Sequence, residues 1–184
     1  MNSLLQKTLM GMDLQAINPD LPKGKIQVAE GYLKSTPIPS VNNCYISGRF
    51  DFLTKLDDGT YSVIDFKISD PTEEKVKKFT NQLHAYKFAL ENPVNGVAPR
   101  KVTKMGVVVI SPEAIEFKNG GVHFSSKPNW FEIHEDMNSF YNFIDEISGV
   151  LNGPVPNENE NCAWCKYRFC FLPREDDEQE DFPF

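Results

Sequence analysis

Apolar and polar positions change rhythm several times along the 184-residue chain, and each rhythm predicts an element. Residues 3–14 read as a short helix, and 17–24, with its two prolines and a glycine, as a loop. From Cys44 to Leu56 and again from Tyr61 to Ile68 the positions alternate, the signature of strands. Asp70-Pro71-Thr72-Glu73 is a helix start, with an Asp cap, Pro at the first helical position and Glu three residues after the cap. That helix should run to Glu91 and stop before Pro93. Val102–Ile110 is a continuous apolar run, as in a strand buried on both faces. Ile115–Phe117 and Val122–Phe124 flank Asn119-Gly120-Gly121 as a hairpin, Trp130–His134 is a further strand, and Asp136 caps a helix reaching Leu151. The order ββαβββα predicts an α/β domain with a mixed central sheet flanked by helices.

The loop Leu56-Asp57-Asp58-Gly59-Thr60 suits a three-residue hairpin turn with Gly59 in the left-handed conformation. In that register Leu56 meets Thr60, and counting back places Asp51 opposite Asp65. Phe50, Phe52, Ile64, Phe66 and Ile68 then share the core face, while Arg49, Asp51, Asp65 and Lys67 share the other.

Opposed carboxylates lie about 5 Å apart at Cβ and repel each other. A hard divalent cation such as Mg²⁺ or Mn²⁺ compensates such a pair. Lys67, on the same face, can hold a nucleophilic water or stabilise a pentavalent phosphate. A metal lowers the pKa of bound water and polarises a phosphoryl oxygen, so the constellation points to phosphodiester hydrolysis. Taken alone, Asp-x-Lys is common by chance, and the bland reading is a surface ion pair. On the following helix Gln82 and Tyr86 share a face at i,i+4, with Lys75 and Lys78 one to two turns earlier on nearly the same face. These side chains suit phosphate and sugar contacts. Val76, Phe79, Leu83 and Leu90 form the core-facing stripe.

Composition changes the picture in two places. With 40% hydrophobic and 12% aromatic residues, the chain can build a packed core and is not globally disordered. The net charge of −7 argues against a nucleic-acid partner only until its distribution is considered, because Glu175–Asp181 holds six acids and no base. Without that tail 19 basic residues face 20 acidic ones. The tail reads as a solvated, disordered end. No run approaches the length of a membrane span, and the N-terminus lacks the features of a signal peptide, so an intracellular, cytoplasmic location without a membrane partner is expected. The division expected is an N-terminal helix and loop (1–27), a core (28–153), a Cys-rich segment (154–174) and the acidic tail (175–184).

Cys162, Cys165 and Cys170 crowd together while Cys44 stands apart. In an intracellular chain this spacing favours metal over disulfides. Thiolates suit Zn²⁺ or an iron–sulfur cluster, and three unligated thiols are the plain alternative. By alternation Cys44 falls on the core face with Ile46 and Phe50, which favours a buried cysteine over a fourth ligand.

Three motifs in order carry a family resemblance: Gly48-Arg49-Phe50-Asp51, then Val63-Ile64-Asp65-Phe66-Lys67, then Gln82-Leu83-His84-Ala85-Tyr86. Together they resemble the RecB-like branch of the PD-(D/E)xK nucleases, which includes CRISPR-associated exonucleases and the AddB nuclease domain. The resemblance covers about residues 28–172 and implies a restriction-endonuclease-like core. It implies that Asp51, Asp65 and the carbonyl of Phe66 bind Mg²⁺ or Mn²⁺, that Lys67 is catalytic, and that Gln82 and Tyr86 support the site or contact DNA. The activity implied is hydrolysis of DNA by an exonuclease acting on single strands or ends. Partners in a repair, recombination or CRISPR-type complex are implied with it. The family's usual upstream helix with a His or Glu is not found in residues 3–14, and Glu30, the nearest acid, reads as the start of a strand. The Cys162–Cys170 segment resembles the end of the family's [4Fe–4S] segment, where three late cysteines join an early one. For this chain a missing upstream cysteine, a His ligand, Zn²⁺ or no metal are the alternatives. His84, inside the Gln82–Tyr86 helix, could approach the site, whereas His123 and His134 read as structural or exposed. The competing functional readings are a catalytically silent nucleic-acid-binding or assembly module, and a metal-stabilised interaction domain.

Overall fold

A computed structural model describes residues 2–39, 41, 44–69, 72–155 and 157–169. The chain divides into two compact bodies, residues 1–148 and 149–184.

The first body is built on a five-stranded sheet in the order β1-β2-β3-β4-β7. Its strands are β1 (Gly24–Lys34), β2 (Ser47–Leu56), β3 (Tyr61–Ile68), β4 (Val102–Ile110) and β7 (Asn129–Glu132). All pairings are antiparallel except β3 with β4, which is parallel because the helical crossover returns the chain in the same direction. The sheet is therefore mixed and flanked by helices, a restriction-endonuclease-like α/β architecture. A separate hairpin of β5 (Pro112–Lys118) and β6 (Gly121–Ser126) turns on Asn119 and Gly120, both at positive φ.

The helices are α1 (Asn2–Leu9), α2 (Glu73–Lys77), α3 (Thr80–Glu91), α4 (Met137–Asn152) and α5 (Ala163–Phe169). Asp136 caps α4 through Ser139 N–H at 2.9 Å, as expected. The expected helix over 3–14 ends at Leu9, and a short 3-10 turn, Leu14–Ala16, capped by Asp13, follows it. The expected helix to Glu91 is broken at residues 78–79, where Phe79 N–H turns back to Val76 O at 2.9 Å. The Asp70-Pro71 start lies outside the described residues.

The turn chemistry at Gly59 behaves as its sequence requires. Gly59 has φ +84°, Leu56 N–H donates to Thr60 O at 2.9 Å, and the ladder pairs Lys55 with Tyr61 through to Phe52 with Ile64.

Three expectations need correction. β1 was legible only as a hint at Glu30, because a register shift between Ile26 and Val28, the small Gly31 and a positive φ of 48° at Glu30 break its alternation. β2 begins at Ser47, so Cys44 lies in the preceding loop, half-buried and not on a strand's core face. The sheet also has no solvent face at its centre. Phe52, Ile64 and Phe66 pack with Leu14, Leu21 and Ile26 on one side. Leu53 and Val63 pack with Leu83 and Leu90 of α3 on the other. Phe50 joins this second cluster instead of following Phe52, and its ring occupies the space a Cβ on Gly31 would need. Ile68, expected in the core, is 48% exposed at the strand end.

In the second body, α5 follows a turn in which Cys162 N–H donates to Asn159 O at 2.9 Å. The acidic tail lies outside the described residues. Among those described, no helix is long and apolar enough to cross a membrane.

Candidate active site

The register that pairs Phe52 with Ile64 brings Asp51 and Asp65 to the next position, where the β2–β3 ladder stops. Its continuation is a side-chain contact: Phe66 N–H donates to Asp51 Oδ2 at 3.0 Å. Asp51 thus satisfies a main-chain donor and stays fixed beside Asp65.

Asp65 is 1% exposed, because α3 covers this face of β3. Burial, opposed by Lys67 and helped by the neighbouring Asp51 charge, raises its carboxyl from 3.8 to about 6. Gln82 Nε2 donates to Asp65 Oδ1 at 3.3 Å and to the Tyr86 hydroxyl at 2.7 Å. Burial also raises the Tyr86 hydroxyl's pKa. Lys67 Nζ lies 2.6 Å from Asp65 Oδ2. Apart from this ammonium, Oδ2 has no hydrogen-bonding partner among the described residues. The Lys67 ammonium also sits 4.9 Å from the centroid of the Phe79 ring.

The structure therefore brings together Asp51, Asp65, Lys67, Gln82 and Tyr86. A buried carboxylate oxygen lacking a neutral donor, beside a second carboxylate, is an oxygen donor set that fits Mg²⁺ or Mn²⁺. Among the described residues no three His, Cys, Asp or Glu side chains converge on one point. Glu30 falls between the pairs Ala29–Phe52 and Gly31–Phe50, opposite Asp51 in register, with its side chain exposed.

Other candidates sit elsewhere. Lys78 is exposed at the break between α2 and α3. Lys75 belongs to α2, and its side chain lies outside what the structure describes. His84 does not serve the site. It is 1% exposed, with Nδ1 at 2.7 Å from Thr80 O and Nε2 accepting from Asp136 N–H at 2.8 Å, so it ties α3 to the start of α4.

Cys162 and Cys165 are half-buried thiols at the start of α5. Hydrogen bonds from the Cys165 main chain, the Cys165 thiol and the Trp164 main chain lower the pKa of Cys162. Cys170 lies outside the described residues.

The sequence pattern places Phe79 in the core-facing stripe of the helix, and its ring packs half-buried against that core cluster. Its contact with Lys67 had no sequence signal, because it depends on the helix break that places the ring beside β3.

Two carboxylates and a lysine thus meet where the β2–β3 ladder stops, on a mixed sheet flanked by helices. The family model of the PD-(D/E)XK nuclease superfamily matches residues 10–170, and the chain belongs to that superfamily. Among solved structures, the crystal structure of SSO0001 aligns over 93% of this chain and 68% of its own, with a TM-score of 0.43 and 16% identity. No curated protein matches the chain. Nucleases of this superfamily generally use divalent metals such as Mg²⁺.

Proposed function

We propose that the chain is a divalent-metal-dependent deoxyribonuclease of the RecB-like branch, acting as an exonuclease on single strands or ends. The carrying observation is Asp51 beside Asp65 where the β2–β3 ladder stops, with the Lys67 ammonium 2.6 Å from Asp65. Asp51, Asp65 and the Phe66 carbonyl would hold Mg²⁺ or Mn²⁺, which when bound supplies Lewis acidity and lowers the pKa of a coordinated water.

The chain's own groups do the rest. Lys67 places positive charge where phosphate oxygens gain negative charge. The Gln82 amide orients Asp65 and links it to the Tyr86 hydroxyl, so one face of α3 sets the carboxylate's angle. Lys75 and Lys78 supply charge that tracks the nucleic-acid backbone. Cys162, Cys165 and Cys170 hold an iron–sulfur cluster or Zn²⁺ in the second body. The lowered pKa of Cys162 supports ligation, since the thiolate is the ligating form.

The test uses end-labelled single-stranded and duplex DNA, and circular single strands, with Mg²⁺ or Mn²⁺. Stepwise loss from ends with circular DNA resistant supports the reading. Cleavage of circles at the same rate overturns the exonuclease assignment, and degradation confined to RNA overturns the substrate.

A further inference from the structure

The Lys67 ammonium has two neighbours of different kinds. One is Asp65 Oδ2 at 2.6 Å, an anion that is itself a candidate metal ligand. The other is the Phe79 ring at 4.9 Å, which attracts a cation through its π face and carries no charge. Phe79 occupies this position because the helical segment breaks at residues 78–79, and the ring packs half-buried against the Leu83 and Val63 cluster. Its backbone is fixed from both sides, by Phe79 N–H to Val76 O at 2.9 Å and Leu83 N–H to Phe79 O at 3.0 Å.

We propose that Phe79 is a positioning residue that holds the Lys67 ammonium over its ring when a divalent cation claims Asp65. The inference rests on the reading of Lys67 as catalytic and names a residue outside the motif that suggested it. A carboxylate shared between an ammonium and a divalent ion serves the lysine poorly, because the ion is the stronger charge. An aromatic face does not bind Mg²⁺ from water and does not take the lysine's proton. It therefore anchors the ammonium without competing for either. Lys67, at 32% side-chain exposure, has enough freedom to leave the site for solvent if the ring is removed.

Two readouts test this in the 184-residue chain. In proton NMR, the Lys67 ε-methylene signals, assigned by their loss in Lys67→Arg, should be shifted upfield by the ring. They should stay shifted on addition of Mg²⁺ alone and in Phe79→Tyr, and move to the ordinary lysine position in Phe79→Leu and Phe79→Met. In DNA cleavage, Phe79→Leu should lower kcat about three- to tenfold with KM little changed, the range an aromatic–cation contact supplies, while Phe79→Tyr stays near wild type. Phe79→Met, which fills similar volume without a ring, repeats the test if the leucine variant is unstable. An unshifted wild-type signal, a shift lost on adding Mg²⁺, or wild-type kcat in both ringless variants overturns the proposal. A wild-type chain that cleaves no nucleic acid would sink the nuclease reading instead, and the NMR result would still decide the anchor.

Discussion

Asp51 takes the hydrogen bond of the Phe66 N–H, at 3.0 Å, at the point where main-chain pairing between their two strands ends. One carboxylate therefore has a structural and a chemical duty. Asp51→Ala should leave a part-buried N–H without its acceptor and cost about 1–3 kcal/mol in the metal-free protein. Asp51→Asn keeps an acceptor oxygen and should cost less than half as much, yet lose metal affinity as fully. Denaturant unfolding and metal titration of both variants check this. Equal stability of the two variants would contradict the structural duty.

Asp65 gives the site a pH dependence of definite sign. Its carboxyl is raised from 3.8 to about 6 on folding, so between these values the folded chain holds the proton more tightly than the unfolded one. Metal-free stability should therefore fall as pH rises through that window and level off above it. Metal affinity should rise through the same window, as the ion displaces the proton. Asp65→Asn should flatten both dependences. Thermal unfolding and calorimetric Mg²⁺ titration across pH 4 to 8 measure them.

Gly31 is a close-approach position. The Phe50 ring fills the space of its missing Cβ, and Phe50 precedes Asp51. Gly31→Ala must displace that ring, costing about 1–3 kcal/mol by overpacking, and should loosen Asp51 as well. Unfolding curves together with metal affinity check this. An alanine variant with unchanged stability would show that the ring moves freely.

The buried Lys87 ties α3 to the sheet. Its ammonium donates to Glu91 at 2.8 Å and to Val102 O at 2.6 Å, and Glu91 in turn accepts from Val102 N–H at 2.9 Å. Lys87→Ala should cost about 2–4 kcal/mol, since it leaves the Val102 carbonyl and the Glu91 and Glu135 carboxylates without their cation. Metal affinity at the opposite end of α3 should change little, because Asp51 and Asp65 are held by β2 and β3. Chemical denaturation and metal titration of this variant separate the two effects.

What was legible in the sequence was what is set locally. Asp57-Asp58-Gly59 specifies its own turn, and the turn fixes the register that brings Asp51 to Asp65. Val102–Ile110 and the Asp136 cap likewise carry their own signals. The burial of Asp65 was not legible, because it depends on α3 folding back over β3. Nor was the duty of His84, whose partner Asp136 N–H is 52 residues away. β1 hid its pairing behind a register shift and a residue at positive φ, features with no simple alternation. The split between α2 and α3 had no breaker residue to announce it, since positions 77–80 are Lys-Lys-Phe-Thr.

Single-turnover cleavage of single-stranded DNA with Mg²⁺ or Mn²⁺, comparing wild type with Asp65→Asn and Lys67→Ala, tests the central claim most directly. DNA binding is measured alongside under the same salt. The centre built on Asp51, Asp65 and Lys67 predicts a loss of cleavage of about 100-fold or more in each variant, with binding largely kept. Cleavage at the wild-type rate in both variants would contradict it.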